Sequence, residues 1–416
     1  MISVYKFGGA SVKDAQGVQN VTGIVRKSTQ PLVVVISAMG KMTNAFEELT
    51  RYYFNRDLDL CQQKQQEIIR YHQSIIKDLF GDEKGSAGFN RLAELLAQRL
   101  KQAPSRHFDF EYDQIVSFGE MFSTSIVADY WTAVGQTNKW VDVRTILKTD
   151  DLYRDANVNW ELTAELMEDT FLFDEVSCYL TQGFLGGTLS NLTTTLGREG
   201  SDYTAAIIGY VLNAREVTIW KDVPGVLNAD PRWYSEAVKI NELSYNEAIE
   251  LSFYGAQVIH PKTLKPLQNK NIALQVKSFI EPDGQGTVIC ERSGISEPVP
   301  VFILKKEQVF LTVSPHDFSF IMEDRLIEIL TLFSRYRIKM NLMQNSALNF
   351  SACFDDGRDT NALMEDLKKN FLVRYNNGVD LLTIRQYTPG AIEQMTSGRE
   401  VIDSQITRKV ARFVMR

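Results

Sequence analysis

A glycine-rich loop followed by an apolar helix constrains the fold of this chain more than any other stretch. The loop, residues 186–200, contains four glycines and several hydroxyl residues. Residues 203–212 are apolar and rich in alanine, which predicts a helix with Ser201 and Asp202 as its capping pair. A β-branched run at 216–221 predicts a strand. Because free N–H groups and the helix dipole favour negative charge at a helix N-terminus, this order predicts an anion-binding site in an α/β fold.

Two cationic residues lie in or beside glycine loops. Arg198 lies inside the central loop, and its guanidinium fork fits a carboxylate or a phosphate. Lys6 lies near the end of the first predicted strand, residues 2–7, and Gly8 and Gly9 follow at once. Glycines let phosphate oxygens approach backbone N–H groups, and the lysine supplies a mobile positive charge. On residue types alone, the central loop is also compatible with a surface connection in some other α/β enzyme. The sequence contains neither a Walker A pattern nor GxGxxG, which disfavours P-loop and Rossmann folds.

Bulk properties exclude several classes of protein. A chain of 416 residues is long enough for two or three domains. A net charge of −7 without a basic block disfavours a nucleic-acid surface. Four widely spaced cysteines disfavour a zinc site and a disulfide framework. The chain enters its first strand without a charged-then-apolar leader, and its longest apolar run, residues 32–38, is too short to span a bilayer. We therefore expect a cytoplasmic protein without nucleic-acid or membrane partners.

The first 290 residues predict alternating strands and helices, which is typical of a mostly parallel sheet covered on both faces. We expect Ser11 to cap a helix over residues 12–27, a helical insert at about 45–103, and a strand at 238–243. An apolar run at 112–118 leads into Gly119 and Glu120. In α/β folds, ligand-binding residues often lie where such an apolar run ends. Glu120 is also compatible with an ordinary helix start.

After about residue 299 the pattern changes to a βαββαβ order, which is ferredoxin-like. The predicted elements are strands at 309–313, 338–343, 348–354 and 372–375, and helices at 324–336 and 360–370. Residues 381–387 predict the start of a second copy. Residues 390–416 predict one helix and a hairpin or strand, so the second copy would be incomplete.

Several motifs together resemble those of aspartate kinases, in the amino-acid kinase superfamily. TTTLGREGSDYTA, residues 193–205, resembles that family's substrate-loop signature TTTLGRGGSDYTA, and KFGGASV, residues 6–12, resembles its KFGGTSV. IWKDVPG and ADPR are similar to the family's nucleotide-loop segments, and the likeness spans residues 1–290. The resemblance implies an αβα catalytic domain over 1–290. It also implies an ACT-type regulatory region over 299–416, with a first ACT module at about 307–378 and a second, incomplete copy to which residues 301–305 supply a strand.

The resemblance further implies an activity. The family transfers a phosphoryl group from ATP to the side-chain carboxylate of L-aspartate, the first step towards lysine, threonine, methionine and diaminopimelate. The implied cofactors are ATP and Mg²⁺, with Mg²⁺ held mainly by nucleotide phosphates and water, so no metal-ligating residue is named. The implied assembly is a homodimer through the ACT region.

The resemblance also implies roles for the residues of this chain that match the family's motifs. Lys6 would stabilise the transferring phosphoryl group, and Asp202 would orient Lys6 or the substrate ammonium. Arg198 would bind the substrate α-carboxylate and Glu120 its ammonium, with hydrogen bonds from Thr43 and Ser201. The residues expected to bind ATP are Lys6, Gly8, Gly9, Lys221, Asp222, Leu227, Arg232 and Gln257.

Some positions depart from the family pattern. Glu199 stands where a glycine is usual, and Gln257 stands where a phosphate-binding lysine is usual. Lys221 and Ala10 each replace a threonine, and Leu227 replaces a frequent aromatic. These changes motivate an alternative, a catalytically weak amino-acid sensor on the same fold, against which the intact catalytic and substrate-binding set argues. Another alternative is a glutamate, acetylglutamate or uridylate kinase, and such enzymes lack the GSDYTA segment together with an ACT module.

Overall fold

The computed structural model describes residues 1–256, 259–291, 299–317 and 319–416. The chain forms two compact units. The first unit comprises residues 1–226 and 239–252 and the described part of 257–294. The second unit comprises residues 227–238 and 253–256 and the described part of 295–416.

The first unit contains ten strands and eleven helices among its described residues. The strands are β1 (Ser3–Phe7), β2 (Leu32–Ile36), β3 (Lys139–Val141), β4 (Cys178–Gln182), β5 (Leu185–Gly187), β6 (Thr193–Thr195), β7 (Glu216–Lys221), β8 (Glu242–Ser244), β9 (Ala273–Ser278) and β10 (Thr287–Cys290). The helices are α1 (Ala15–Arg26), α2 (Met42–Phe54), α3 (Leu58–Phe80), α4 (Ala87–Leu100), α5 (Phe108–Val116), α6 (Phe118–Ala133), α7 (Val143–Ile146), α8 (Trp160–Thr170), α9 (Gly200–Val211), α10 (Tyr245–Tyr254, whose last two residues belong to the second unit) and α11 (Pro261–Asn269).

Eight of these strands form one mostly parallel sheet, in the order β3-β4-β2-β1-β7-β9-β10-β8. Among these described strands, only the pair β9 and β10 is antiparallel. All five residues of β2 are aliphatic and buried, as expected for a central strand of a parallel sheet. The predicted α/β class is therefore confirmed, and α2 to α4 form the expected helical insert.

The topology brings four loops to one edge of this sheet. Strand β1 is parallel to both β2 and β7, and β2 is parallel to β4. Their carboxyl ends therefore meet, and the glycine loop after β1 lies beside the loops that follow β2, β4 and β7. Ligands bind at such an edge in open α/β sheets.

Three local predictions were wrong. Asp14, not Ser11, caps α1, and its Oδ1 accepts a 2.8 Å hydrogen bond from the backbone N–H of Gly17. Ser11 instead lies in a short 3-10 turn, where its side chain is buried. Ser201 and Asp202 do not cap α9 but lie in its first turn, because the helix begins one residue earlier than Ser201. The strand expected at 238–243 is shorter and later, at β8.

The second unit is built on a six-stranded antiparallel sheet in the order β12-β13-β11-β14-β16-β15. Its elements are β11 (Val301–Pro315), α12 (Glu323–Arg335), β12 (Met340–Asn345), β13 (Phe350–Asp355), α13 (Thr360–Lys368), β14 (Phe371–Arg385), α14 (Pro389–Thr396), β15 (Val401–Ile406) and β16 (Val410–Met415). The half formed by β12, β13, β11 and β14 has the ferredoxin-like strand order, which confirms the predicted fold of this region.

Two long strands serve both halves of the second sheet. The second part of β11 pairs with the start of β14, whereas residues 301–305 pair with residues 381–385 and thereby join the second half, as expected. The short strand predicted at 372–375 is instead the start of the 15-residue β14. The core of the second half contains Phe302 and Phe413, and residues of the segment 227–238 pack against it. No helix in the described part of the chain has the length and apolar character needed to cross a bilayer.

Candidate active site

A cleft of about 560 Å³ opens in the first unit at the edge where the four loops meet. Residues from all four loops line it, together with residues of α2, α5, α6 and α9. The lining residues are Lys6, Gly8, Gly9, Ala10, Ser11, Ser37, Thr43, Tyr112, Glu120, Arg154, Phe184, Gly197, Arg198, Glu199, Gly200, Ser201, Asp202, Trp220, Lys221, Asp222 and Phe279.

A buried ion pair lies in this cleft. The Nζ of Lys6, near the end of β1, lies 2.6 Å from Oδ1 of Asp202, in the first turn of α9. Both side chains are almost fully buried. A buried charge without a partner is strongly unfavourable, so each residue serves as the counter-ion of the other. The structure thus brings together the two residues predicted to be catalytic, at the N-terminal end of a helix.

Glu120 provides a second buried carboxyl group. It lies in the first turn of α6, so the apolar run that precedes it is helical. Its Oε1 accepts a 3.3 Å hydrogen bond from the backbone N–H of Ala38, whereas its Oε2 has no hydrogen-bond partner among the residues the structure describes. Burial raises the pKa of Glu120 to about 8. A buried, half-satisfied carboxyl group that faces a cleft is suited to an incoming cation.

The loop before α9 has a constrained backbone. Gly197 and Glu199 both adopt left-handed conformations, with φ of 77° and 55°. Glycine adopts such a backbone without strain, whereas L side chains rarely do, so Glu199 occupies a position that suits glycine. Arg198, between them, is exposed and lines the cleft. A side chain at Gly183 would place its Cβ 2.4 Å from the Cβ of Ser201, so glycine lets these two segments touch.

Close packing also explains a glycine after β1. A Cβ at Gly9 would lie 2.6 Å from the carbonyl oxygens of Ala38 and Gly40. The backbone N–H of Gly40 donates a 3.0 Å hydrogen bond to the carbonyl of Gly9. This contact joins the loops after β1 and β2, and Thr43, in the first turn of α2, lines the same cleft.

The predicted nucleotide-binding residues fall into three groups. Lys221 and Asp222 line the cleft together with Lys6, Gly8 and Gly9. Leu227 and Arg232 belong to the second unit and are not among the lining residues, and the guanidinium of Arg232 is held by Asp230, with Nη2 2.5 Å from Oδ2. Gln257 lies outside the described residues. The roles of these three residues stay predictions.

Sequence reasoning missed several lining residues. The guanidinium of Arg154 lies 4.5 Å from the ring centre of Tyr112 and also pairs with Asp109, with Nη1 3.1 Å from Oδ1. Nothing in the local sequence marks Arg154, because it lies in a loop between α7 and α8 with no recognisable pattern. Trp220, stacked on Phe7, could have been found as a large aromatic at the end of a predicted strand. The other lining residues that were missed are Ala10, Ser11, Ser37, Phe184, Gly197, Glu199, Gly200 and Phe279.

The described residues include no group of three or more His, Cys, Asp or Glu side chains placed to hold a metal ion. The cleft instead combines four cationic side chains, a helix N-terminus and glycine-rich backbone. Such a site fits a small substrate with several negative charges. The fold and the cleft together define an α/β protein with a cleft suited to an anionic ligand at the carboxyl edge of its sheet.

Comparison with known proteins identifies the family. The family model described as the amino acid kinase family matches residues 1–278. Lysine-sensitive aspartokinase 3 of Escherichia coli (strain K12) is 31% identical over 405 residues, which cover 92% of this chain and 86% of that protein. The chain therefore belongs to the amino acid kinase family and, within it, to the aspartokinases.

A fused enzyme and a solved structure are also similar. The chloroplastic bifunctional aspartokinase/homoserine dehydrogenase 2 of Arabidopsis thaliana is 33% identical over 298 residues, which cover 70% of this chain and 32% of that protein. The chain thus spans about a third of the length of that bifunctional relative. The structure of E. coli aspartokinase III in complex with aspartate and ADP superposes with a TM-score of 0.79 at 27% identity, covering all of this chain and 96% of that one.

Proposed function

We propose that this chain transfers the γ-phosphoryl group of ATP to the side-chain carboxylate of L-aspartate, forming 4-phospho-L-aspartate and ADP. The observation that carries the proposal is the buried Lys6–Asp202 pair beside Arg198 and Glu120 in one cleft. The solved E. coli relative, which binds aspartate and ADP, supports it. We place the reaction at the first step towards lysine, threonine, methionine and diaminopimelate.

The chemistry requires charge neutralisation more than proton transfer. The acceptor carboxylate is already ionised at pH 7, so no general base is needed. The protein must bring two anions together, and phosphoryl transfer is catalysed mainly by positioning and electrostatic stabilisation. Lys6 stabilises the transferring phosphoryl group, and Asp202 orients Lys6. Bound Mg²⁺ supplies further positive charge, and we expect phosphate oxygens and water to hold it.

We assign the two ends of aspartate to different residues of the cleft. Arg198 binds the α-carboxylate, because a guanidinium matches a carboxylate through two hydrogen bonds. The Oε2 of Glu120, which has no hydrogen-bond partner among the described residues, binds the α-ammonium. Thr43 and Ser201 add hydrogen bonds, and Lys221 and Asp222 contact the nucleotide.

The second unit supplies regulation and assembly in this proposal. We assign residues 1–290 to catalysis and 299–416 to an ACT-like regulatory region of a cytoplasmic homodimer. Helix α12 exposes apolar side chains, among them Ile327, which is 62% exposed, and Leu330. Together with β12 it provides a surface suited to pairing with a second copy, which analytical ultracentrifugation can test.

An ADP-release assay with three acceptor conditions tests the reaction directly. The purified chain is incubated with ATP and Mg²⁺ and with L-aspartate, L-glutamate or no acceptor. We expect ADP release only with L-aspartate, together with an aspartyl hydroxamate when hydroxylamine traps the acyl phosphate. Equal ADP release under all three conditions, or none under any, would contradict the proposal.

Replacing Arg198 with alanine should weaken aspartate binding selectively. A hydrogen bond to a charged group is worth about 1.5–3 kcal/mol, so the KM for aspartate should rise by about 10- to 100-fold. The KM for ATP should stay nearly unchanged. The matched control is Arg91→Ala, which removes an exposed arginine from α4. If ATP binding weakens while the aspartate KM holds, Arg198 serves the other ligand.

The raised pKa of Glu120 predicts a pH dependence. Because burial raises this pKa to about 8, the free enzyme carries mostly a neutral Glu120 at pH 7 and an ionised one at pH 9. Only the ionised form pairs with an ammonium, so the aspartate KM should fall by about tenfold between pH 7 and pH 9. Steady-state kinetics at fixed saturating ATP measure this. Glu120→Gln should bind aspartate weakly, with a nearly flat profile over the same range. An equally steep profile in that variant would assign the titration to another group.

A further inference from the structure

Glu199 occupies a backbone position that is unfavourable for its side chain. Its φ of 55° lies in the left-handed region, immediately before α9. Its carbonyl oxygen accepts hydrogen bonds from the backbone N–H groups of Asp202, at 3.0 Å, and Tyr203, at 3.2 Å. The residue therefore sets the first turn of the helix that carries Asp202. A glutamate kept in this conformation needs a compensating contact.

The side chain of Glu199 makes such a contact. Its Oε2 accepts a 3.0 Å hydrogen bond from the backbone N–H of His260, the residue that precedes α11. The His260 ring caps the helix, and its Nδ1 accepts a hydrogen bond from the N–H of Lys262. A carboxylate is electrostatically favoured at the N-terminal end of a helix. The loop before α9 is thus tied to the start of α11 by a side chain that a glycine could not provide.

The same turn of α11 holds a second loop of the cleft. The Nζ of Lys262 forms an ion pair with Oδ1 of Asp155. Asp155 follows Arg154, and its Oδ1 packs so closely on Gly197 that a Cβ there would lie 2.7 Å from it. The first turn of α11 therefore braces both loops that carry the arginines of the cleft, Arg154 and Arg198.

We propose that Glu199 is a positioning residue for the substrate. Its carboxylate fixes the loop 197–201 against α11, so that Arg198 is presented to the α-carboxylate of the bound amino acid. The expected effect on the aspartate KM rests on the proposed aspartate kinase reaction. The tether itself concerns only the described hydrogen bond between Glu199 and His260.

Two substitutions separate the tether from the charge. Glu199→Gln keeps the side-chain length and an acceptor oxygen but removes the charge. Glu199→Asn tolerates the left-handed backbone, since asparagine is enriched there, but is one methylene too short to reach His260. We expect the aspartate KM to rise by about tenfold in Glu199→Asn, on the scale of one lost hydrogen bond to a charged acceptor. We expect Glu199→Gln to stay within about threefold of the parent, and kcat and the ATP KM to change little in both variants.

Hydrogen–deuterium exchange gives a readout that does not depend on the reaction. In Glu199→Asn, the His260 amide and residues 196–203 should exchange faster than in the parent, and in Glu199→Gln they should exchange at nearly the parent rate. If the parent does not phosphorylate aspartate, the proposed reaction fails, and the exchange contrast still decides the tether.

Two outcomes would overturn the inference. One is a folded Glu199→Asn protein, with a Tm near that of the parent, that shows parental exchange at His260 and an aspartate KM within about twofold of the parent. The other is an equal rise of the aspartate KM in Glu199→Asn and Glu199→Gln. That result would assign the effect to the negative charge beside Arg198 rather than to the hydrogen bond.

Discussion

Replacing Lys6 with methionine should lower kcat by about 10²–10³ with a smaller change in KM, because removal of one preorganised transition-state donor typically costs this much. The Nζ of Lys6 lies in the cleft, 2.6 Å from Asp202, and β1 holds it between β2 and β7. Methionine keeps much of the volume of the side chain and removes the ammonium group, with its charge and its hydrogen-bond donors. The loss should therefore appear in the chemical step, as measured by initial-rate kinetics with both substrates varied.

Two controls separate catalysis from folding in this experiment. Lys27→Met removes an exposed lysine that pairs with Asp283, with Nζ 2.9 Å from Oδ1, and should leave kcat unchanged. Since Lys6→Met leaves the Asp202 carboxylate buried without its cation, the Tm of the variant must be measured as well. A folded Lys6→Met enzyme with kcat within about threefold of the parent would refute the assignment of Lys6.

Hydrophobic runs allowed much of the sheet to be predicted from the sequence. The strand predicted at 216–221 coincides with β7, and the apolar run at 32–38 contains β2. Continuous apolar residues bounded by loops are sufficient there, because both faces of a central parallel strand are buried. The cap of α1 was missed because Ser11 and Asp14 both lie near the helix start, and only the backbone decides which side chain reaches a free N–H.

The second unit shows why strand lengths were harder to predict. Residues 376–378, Asn-Asn-Gly, carry a typical turn signal, and the strand predicted there ended before them. In the structure Gly378 adopts a φ of 65°, and the pairing of β14 with β11 shifts register nearby, so the strand continues through an irregularity. A local turn signal was thus accommodated as a bulge because the neighbouring strand continues past it.

The candidate site was predictable where motifs carry it and unpredictable where tertiary contacts create it. Lys6, Arg198 and Asp202 lie in or beside glycine loops or at a helix start, so their residue types and spacing were informative. Arg154 reaches the cleft from a separate loop, and the contact between Glu199 and His260 joins residues 61 positions apart. The sequence identified Glu199 only as a departure from the family pattern. Its left-handed backbone and its hydrogen bond to His260 exist only in the folded loop, so residue types alone could not predict them.

Free lysine should not inhibit this enzyme at sub-millimolar concentration. By resemblance, lysine-sensing aspartate kinases place an acidic residue where this chain has Asn341. An amide cannot neutralise an ammonium, and a desolvated charge without its partner costs about 2–5 kcal/mol, which corresponds to roughly 30- to 5,000-fold in affinity. The similar E. coli enzyme is named lysine-sensitive, so a difference in response between the two proteins is expected.

The contacts of Asn341 strengthen this expectation. Its Oδ1 accepts a 2.7 Å hydrogen bond from Nζ of Lys305, and its Nδ2 donates a 2.7 Å hydrogen bond to Oε1 of Gln308. Gln308 in turn donates to Oδ1 of Asp355 at 2.8 Å. Both the oxygen and the nitrogen of the Asn341 amide are therefore hydrogen-bonded within the second unit, and the ammonium group beside it belongs to Lys305. An incoming lysine would have to displace Lys305 to reach this side chain.

Titration of the purified protein with lysine, threonine and methionine, by calorimetry and by inhibition of ADP release, tests the expectation. The informative variant is Asn341→Asp, in which the new carboxylate would lie next to Lys305 and pair with it first. Asn341→Asp alone should therefore remain insensitive to lysine, whereas Asn341→Asp combined with Lys305→Met should bind lysine more tightly than the parent. Sub-millimolar lysine inhibition of the unmodified chain would show that Asn341 does not determine the response. A double variant that folds but binds lysine no better than the parent would lead to the same conclusion.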